Sequence, residues 1–418
     1  MISHSTESPA VNSPVLIVGA GMAGLACAVT LHRAGVPFLL FDGDNQVGGR
    51  VRTDEVDGYR LDRGFQVLLT AYPEARRFLD YKKLDLQRCY PGSKVWFDNR
   101  FYRVADPFRH PIDGIKSLLT PIGSLGDKLR VGMMRLGLLS SKSTPNKSST
   151  LNALKKMGFG NSMIDRFWKP FMRGVFLENE LSTTIRKFEE TFRFFSKGDT
   201  VLPKKGIGEI PNQLARHLPS DRIHLETKIT KVDSGTVYSI DGRTWEGRAV
   251  VLATEDYQAN QLLGIKNRAE EWNSVDCLYF SLPLDELPSN EPILHLDGTG
   301  TGPINNLTFL SNLSDCAPNG RSLLSASVIG QKELPLEEIV QQARDQLTEW
   351  FGKKGKNWDF IKGYRIRHAV PTCKNLPILT PVLTQVYRCG DYLGLPSIDS
   401  AMRTGRQTAE HIIQELRS

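Results

Sequence analysis

The stretch VLIVGAGMAGLACAVTLHRAGVPFLLFDGDNQVGGR, residues 15–50, decides the fold of this 418-residue chain. Val15–Val18 is a short apolar run typical of a buried strand, and Phe38–Phe41 is a second such run. Between them, Met22–Ala34 has the apolar pattern of a helix that ends at Gly35. This order predicts a β-α-β unit of the kind that binds dinucleotides.

The turn between the first strand and the helix has the pattern G-x-G-x-x-G. Gly19 permits the tight turn, Gly21 lets a pyrophosphate approach the backbone, and Gly24 lets the helix pack closely on the strand. The free N–H groups at the start of the helix attract phosphate. Asp42 ends the second strand, where a carboxylate accepts hydrogen bonds from ribose hydroxyls and disfavours a 2′-phosphate. The predicted nucleotide contacts are Gly19, Ala20, Gly21, Met22, Ala23, Gly24 and Asp42.

Gly48-Gly49-Arg50 follows shortly after Asp42. Two glycines let the backbone pass close to a bound group, and Arg50 can neutralise a pyrophosphate; a surface salt bridge is the alternative role for Arg50. With this ending, the stretch resembles the flavin-dependent amine oxidase and phytoene desaturase superfamily. The resemblance implies FAD as the cofactor, with its AMP half over Gly19–Gly24 and contacts from Gly48, Gly49 and Arg50.

The resemblance extends over nearly the whole chain. Leu61–Gln66, LDRGFQ, is similar to the family segment that reaches the flavin ring, and Ile229 occupies the position whose backbone meets the adenine. Arg166–Phe171 and Ala317–Arg321 resemble the phytoene desaturase-like branch. Cys389–Ala401 resembles the second flavin motif. The further FAD contacts that the resemblance implies are Gly64, Phe65, Gln66, Ile229, Gly390, Asp391, Ser397, Ile398 and Ala401.

The C-terminal motif also has a physical interpretation. Ser397 is placed to cap the N-terminus of a final helix, Ile398–Leu416, and a helix N-terminus stabilises the negative charge of a reduced flavin. Amine oxidases commonly carry an aromatic residue where this chain has Ser397, and we identify no lysine that would face the flavin. Both departures favour a C–C dehydrogenase over an amine oxidase.

Strand and helix patterns divide the chain into two discontinuous parts. We predict an α/β fold in which residues 1–74, 200–260 and 371–418 form an FAD-binding Rossmann-like domain. Residues 75–199 and 261–370 form an inserted α+β substrate domain, and the first of these inserts is predicted to be dominated by helices.

Composition narrows the function classes. The chain has 40% hydrophobic and 24% charged residues and a net charge of +7, which is typical of a globular protein. It shows no membrane-spanning run, no metal-ligand motif, no nucleic-acid-binding motif and no second dinucleotide fingerprint. We therefore expect no metal and no nucleic acid partner, and we expect a cytoplasmic protein with or without peripheral contact to a membrane.

The predicted activity is an FAD-dependent oxidoreductase that desaturates a lipophilic, isoprenoid or carotenoid-like small molecule by hydride transfer to flavin N5. The alternatives are an amine or protoporphyrinogen-type oxidase and a non-redox FAD-dependent isomerase. His368 is the candidate base or proton relay, although a packing histidine is the favoured interpretation. A packed core is favoured over an apolar tunnel for the aromatic residues Phe167, Trp168, Phe171, Phe192, Phe194 and Phe195. A solvated helix face is favoured over a membrane contact for Lys128, Arg130 and Arg135.

Overall fold

The computed structural model describes residues 13–139, 148–265, 272–330, 333–372 and 382–417. Its strands are, in chain order, β1 (Val15–Val18), β2 (Phe38–Phe41), β3 (Thr53–Val56), β4 (Tyr59–Asp62), β5 (Leu68–Leu69), β6 (Leu86–Arg88), β7 (Gly92–Phe97), β8 (Arg100–Ala105), β9 (Thr200–Pro203), β10 (Ile223–His224), β11 (Ile229–Asp233), β12 (Thr236–Ser239), β13 (Thr244–Glu246), β14 (Ala249–Leu252), β15 (Trp272–Pro283), β16 (Leu294–Asp297), β17 (Ile304–Phe309), β18 (Arg321–Ile329), β19 (Asp359–Pro371) and β20 (Val386–Arg388).

The helices are α1 (Met22–Arg33), α2 (Pro73–Phe78), α3 (Pro111–Leu118), α4 (Leu125–Arg135), α5 (Thr150–Lys156), α6 (Asn161–Met163), α7 (Lys169–Phe176), α8 (Ile185–Lys197), α9 (Glu209–Ala215), α10 (Asp256–Leu262), α11 (Leu336–Phe351), α12 (Lys353–Lys356) and α13 (Ile398–Glu415). A π-helical turn, Ile164–Trp168, joins α6 to α7. Within the described ranges, no helix has both the length and the apolar character needed to cross a membrane.

A five-stranded parallel sheet, in the order β10-β2-β1-β14-β20, forms the nucleotide-binding part. Its central strands are apolar runs because both faces are covered: Val15–Val18 and Ala249–Leu252 are buried at every position. The predicted strand, helix and strand of residues 15–41 are confirmed, with the helix ending at Arg33 rather than Ala34. Helix α13 packs directly on α1, and a Cβ at Gly405 would lie 2.0 Å from the carbonyl oxygen of Ala23.

A seven-stranded sheet, in the order β19-β15-β18-β17-β16-β7-β8, forms the second layer. Strand β15 alternates its side chains between two cores. Leu278 and Phe280 pack beneath α11, whereas Cys277 and Tyr279 belong to the same core as α1. The Tyr279 hydroxyl donates a 2.6 Å hydrogen bond to the carbonyl of Asp62, which ties this sheet to the nucleotide-binding part.

The prediction that helices dominate residues 75–199 is wrong for residues 86–105, which form β6, β7 and β8. Strands β7 and β8 extend the seven-stranded sheet, and β7 pairs in parallel with β16. The alternation in Gly92–Phe97, where Ser93, Val95 and Trp96 are buried, is short, so the longer helical pattern that follows obscures it. The domain boundaries given above remain a prediction.

Candidate active site

One cavity of about 1220 Å³ runs from the carboxyl ends of the parallel strands to the helices of the first insert. Ligand pockets usually occupy about 300–1,000 Å³, so this cavity has room for more than one small molecule. Of the predicted FAD contacts, all line the cavity except Ala20 and Gly24. The structure therefore brings together segments that lie hundreds of residues apart in the sequence.

The glycine turn has the geometry that the sequence predicted. Gly19 has a φ of +107°, a conformation that favours glycine. A Cβ at Gly24 would lie 1.9 Å from the carbonyl oxygen of Gly19, so only glycine lets α1 approach β1 this closely. A Cβ at Gly21, in contrast, would meet nothing within 4 Å, and Gly21 lines the cavity. The space beside Gly21 fits a pyrophosphate at the start of α1.

Asp42 holds the glycine turn as well as facing the cavity. Its carboxylate accepts hydrogen bonds from the N–H of Ala20 at 2.6 Å and from the N–H of Asp44 at 2.9 Å. Burial raises the pKa of Asp42, although these two N–H groups oppose the rise. Asp42 can therefore both rigidify the phosphate turn and accept ribose hydroxyls.

Gly48, Gly49 and Arg50 lie directly against the glycine turn. The Gly48 N–H donates to the carbonyl of Ala20 at 2.9 Å, and a Cβ at Gly49 would come within 3.5 Å of the Gly21 Cα. Arg50 donates to the Asp391 carboxylate at 2.6 Å and to the Ala369 carbonyl at 2.7 Å. This ion pair joins the N-terminal and C-terminal motifs at the cavity wall, and the Asp391 side chain is only 9% exposed.

The segment after β4 lines the middle of the cavity through Gly64, Phe65 and Gln66. The Gln66 amide donates to the carbonyls of Arg50 at 2.7 Å and Arg63 at 3.1 Å, so it positions the motif that holds Asp391. Just before this segment, buried Asp62 accepts hydrogen bonds from the Thr53 hydroxyl and the Ile207 N–H. Burial raises the pKa of Asp62 to about 6.

The start of α13 confirms the predicted cap. The Ser397 hydroxyl accepts a 3.0 Å hydrogen bond from the Ser400 N–H, and Ser397 and Ile398 both line the cavity. The free N–H groups of this helix therefore lie at the cavity wall, where they can stabilise negative charge.

Sequence reasoning missed Lys187. This lysine lies on α8, is 6% exposed, lines the cavity, and donates a 2.7 Å hydrogen bond to the carbonyl of Pro396, next to the cap of α13. Its position depends on the packing of the helical insert on the C-terminal motif. The spacing of residues along the sequence does not indicate that contact. A cation here adds to the positive end of α13.

His368 lies near the cavity but is absent from the described residues that line it. Its Nδ1 is 3.9 Å from a carboxylate oxygen of Glu255, and its ring packs against Tyr257 and Trp272. Glu255 also lies 3.7 Å from the Arg50 guanidinium, and burial raises the pKa of this carboxyl. His368 therefore neighbours the Arg50–Asp391 pair, and its proton-transfer role stays a prediction.

The outer part of the cavity has aromatic walls. Of the six predicted aromatic residues, five line the cavity, and the exception, Phe194, packs its ring on Tyr72. Phe167 and Phe171 stack with ring centroids 5.6 Å apart, while Trp168 is almost fully buried behind them. The favoured interpretation as core holds for Trp168. Phe167, Phe171, Phe192 and Phe195 line an apolar chamber beyond the glycine turn.

A family model described as flavin containing amine oxidoreductase matches residues 22–413. Protoporphyrinogen oxidase 2 of Arabidopsis thaliana is 24% identical over 253 residues, which cover 51% of this chain and 49% of that protein. A zeta-carotene-forming phytoene desaturase of Myxococcus xanthus is 36% identical over 93 residues, or 21% of this chain and 18% of that one. The matched region spans half or less of these relatives.

Solved structures share the fold over nearly the whole chain. An oxidoreductase from Methanosarcina mazei superimposes with a TM-score of 0.75 at 16% identity, covering 95% of this chain and 100% of that one. Putrescine oxidase bound to putrescine gives 0.72 at 16% identity, with 96% and 99% covered. These likenesses confirm the predicted fold class.

Proposed function

The chain belongs to the flavin-containing amine oxidoreductase family and is an FAD-dependent oxidoreductase, and we propose that it desaturates a lipophilic, isoprenoid-like small molecule. The observation that carries the proposal is the aromatic chamber, which continues the cofactor end of the cavity. An extended apolar molecule gains about 25 cal/mol for each Å² that it buries there.

Each part of the chain has a distinct task in this proposal. FAD supplies a hydride acceptor when it is bound. The glycine turn and Arg50 would hold its pyrophosphate and Asp42 its ribose. The N-terminus of α13, together with Lys187, would favour negative charge at this end of the cavity. The aromatic walls would orient the substrate carbon and exclude water. Desaturation also releases a proton from the adjacent carbon, and His368, beside Glu255, is the candidate base that would take it up.

A protoporphyrinogen-type oxidase is the second candidate, and one observation favours it. Arg109 and Arg135 both line the outer cavity and share a single carboxylate, Asp106, at 3.7 and 3.2 Å. Two cations with one anion leave positive charge for an acidic substituent on the substrate. An isoprenoid hydrocarbon would leave that charge unused.

Anaerobic reduction of the holoprotein tests these alternatives. A polyisoprenoid hydrocarbon in detergent should bleach the flavin absorbance, whereas putrescine should not. Bleaching by protoporphyrinogen alone would establish the second candidate, and bleaching by putrescine alone would reject both. If no substrate bleaches the flavin but turnover requires reduced FAD, the isomerase alternative replaces the proposal.

Two adjacent residues provide a matched pair of variants. Phe195 lines the cavity and Phe194 does not. Phe195→Ala should weaken the apparent affinity for the bleaching substrate by about tenfold to a hundredfold, because a buried aromatic contact contributes about 1.5–3 kcal/mol. Phe194→Ala should leave this affinity within about twofold of the wild type. Equal effects of the two variants would contradict the placement of substrate in the chamber.

A further inference from the structure

A cluster of exposed apolar side chains lies on helices α3 and α4 and on the residues beside them. Of the fifteen large apolar side chains that are exposed in the described part of the chain, ten lie between residues 108 and 138. These ten are Phe108, Ile112, Ile115, Leu118, Leu119, Leu125, Leu129, Met133, Leu136 and Leu138. Single exposed apolar residues are ordinary, but a cluster of this size marks a surface that contacts something other than water.

This surface, called here the α3–α4 face, carries little charge. Among the exposed side chains from Pro107 to Leu138, Lys116 is the only lysine, arginine, aspartate or glutamate. Lys128 instead donates to the carbonyls of Leu118 and Thr120, at 3.0 and 2.7 Å. The face therefore combines a broad apolar area with one exposed cation, which suits an apolar layer bordered by anionic groups.

The same segment, residues 108–138, also forms a wall of the cavity. Ile122, Val131 and Gly132 line it, as do Phe108 and Leu118, which are also 51% and 42% exposed. Because Phe108 and Leu118 belong to both surfaces, the cavity reaches the outside at the α3–α4 face. Apolar side chains thus continue from the α3–α4 face into the cavity.

We propose that the α3–α4 face docks on a lipid bilayer and that the cavity receives its substrate directly from that bilayer. At 1.5 Å per residue, α3 and α4 are about 12 and 16 Å long, so they lie at the membrane surface and do not cross it. A second copy of the chain on this face would bury the apolar area but would also cover the opening between Phe108 and Leu118. Substrate delivery rests on the proposed function, whereas docking does not.

Vesicle flotation of the holoprotein tests the docking. Two vesicle types are used, pure phosphatidylcholine and phosphatidylcholine mixed with phosphatidylserine. The variant Ile112→Asp/Leu119→Asp changes residues that are 72% and 87% exposed on the face. The control Ile240→Asp/Leu284→Asp changes residues that are 69% and 52% exposed elsewhere.

The wild type and the control should float with both vesicles, and more strongly with phosphatidylserine present. The face variant should lose at least about tenfold in partition coefficient while keeping its FAD content, since aspartate is strongly disfavoured in an apolar layer. No flotation of the wild type, or equal flotation of both variants, would overturn the proposal. The proposal would also be overturned if the wild type formed a dimer that did not bind vesicles and the face variant were a monomer.

The two proposals fail separately. Flotation without flavin bleaching by a polyisoprenoid would reject the proposed substrate and keep the docking. Bleaching in detergent without flotation would reject the docking and keep the substrate.

Discussion

Replacing Gly21 by valine separates cofactor binding from folding. A Cβ at this position meets no atom within 4 Å, and the backbone of Gly21, at φ −72° and ψ −177°, is one that valine adopts readily. The variant should therefore fold, and its free energy of unfolding without cofactor should stay within about 1 kcal/mol of the wild type. The side chain would nevertheless fill the space where the pyrophosphate approaches α1.

The assay is thermal or urea unfolding with and without added FAD. With free FAD at 100 times its Kd, the wild type should gain about 2.7 kcal/mol, and Gly21→Val should gain nothing and purify colourless. Gly132→Val is the control, because a Cβ there also meets nothing within 4 Å but lies on α4, away from the nucleotide end. Retained flavin absorbance in Gly21→Val, or loss of flavin in both variants, would refute the placement of the pyrophosphate.

Three further predictions concern single side chains. Asp42→Ala should reduce FAD retention about tenfold. It should lower the free energy of unfolding by only about 1–3 kcal/mol, because two hydrogen bonds from backbone N–H groups are lost. Unchanged FAD retention would show that Asp42 does not bind the ribose. Lys187→Met should lower the two-electron reduction potential of the flavin by about 30 mV or more in a dye-coupled titration. A shift of about 30 mV corresponds to the loss of about 1.4 kcal/mol of charge stabilisation. An unchanged potential would contradict the electrostatic role of Lys187. Asp399, in the first turn of α13, accepts hydrogen bonds from the N–H groups of Glu74 and Ala75. Burial raises the pKa of Asp399 to about 6 against 3.8 in the unfolded chain, so the free energy of unfolding should fall as the pH rises from 4 to 6. Asp399→Asn should flatten that fall in urea titrations, and an unchanged slope would show that Asp399 does not titrate there.

The nucleotide end of the site could be predicted from the sequence because its chemistry is local. A glycine turn, an acidic strand end and a capping serine each act within a few residues, and Gly24, Asp42 and Ser397 have the contacts that their positions suggested. The fold followed from the same unit, because parallel apolar strands that alternate with helices have few stable arrangements.

The rest of the site depends on contacts between distant segments. Lys187 reaches Pro396 across 209 residues, and Arg50 reaches Asp391 across 341, so spacing along the chain reveals neither contact. The α3–α4 face was difficult to predict for a different reason. Periodicity identifies an apolar helix face but does not show whether the protein interior or something outside the protein covers it. In the structure, Leu119 and Leu125 are exposed.

The Arg50–Asp391 pair has a consequence for the order in which the molecule is assembled. During synthesis, the glycine turn leaves the ribosome long before β20 and α13 exist, so a partial chain lacks the Asp391 carboxylate that pairs with Arg50. We therefore expect tight capture of the prosthetic group only after the segment that carries β20 and α13 has been made. Nascent chains arrested before residue 385 should remain colourless, however much flavin surrounds them.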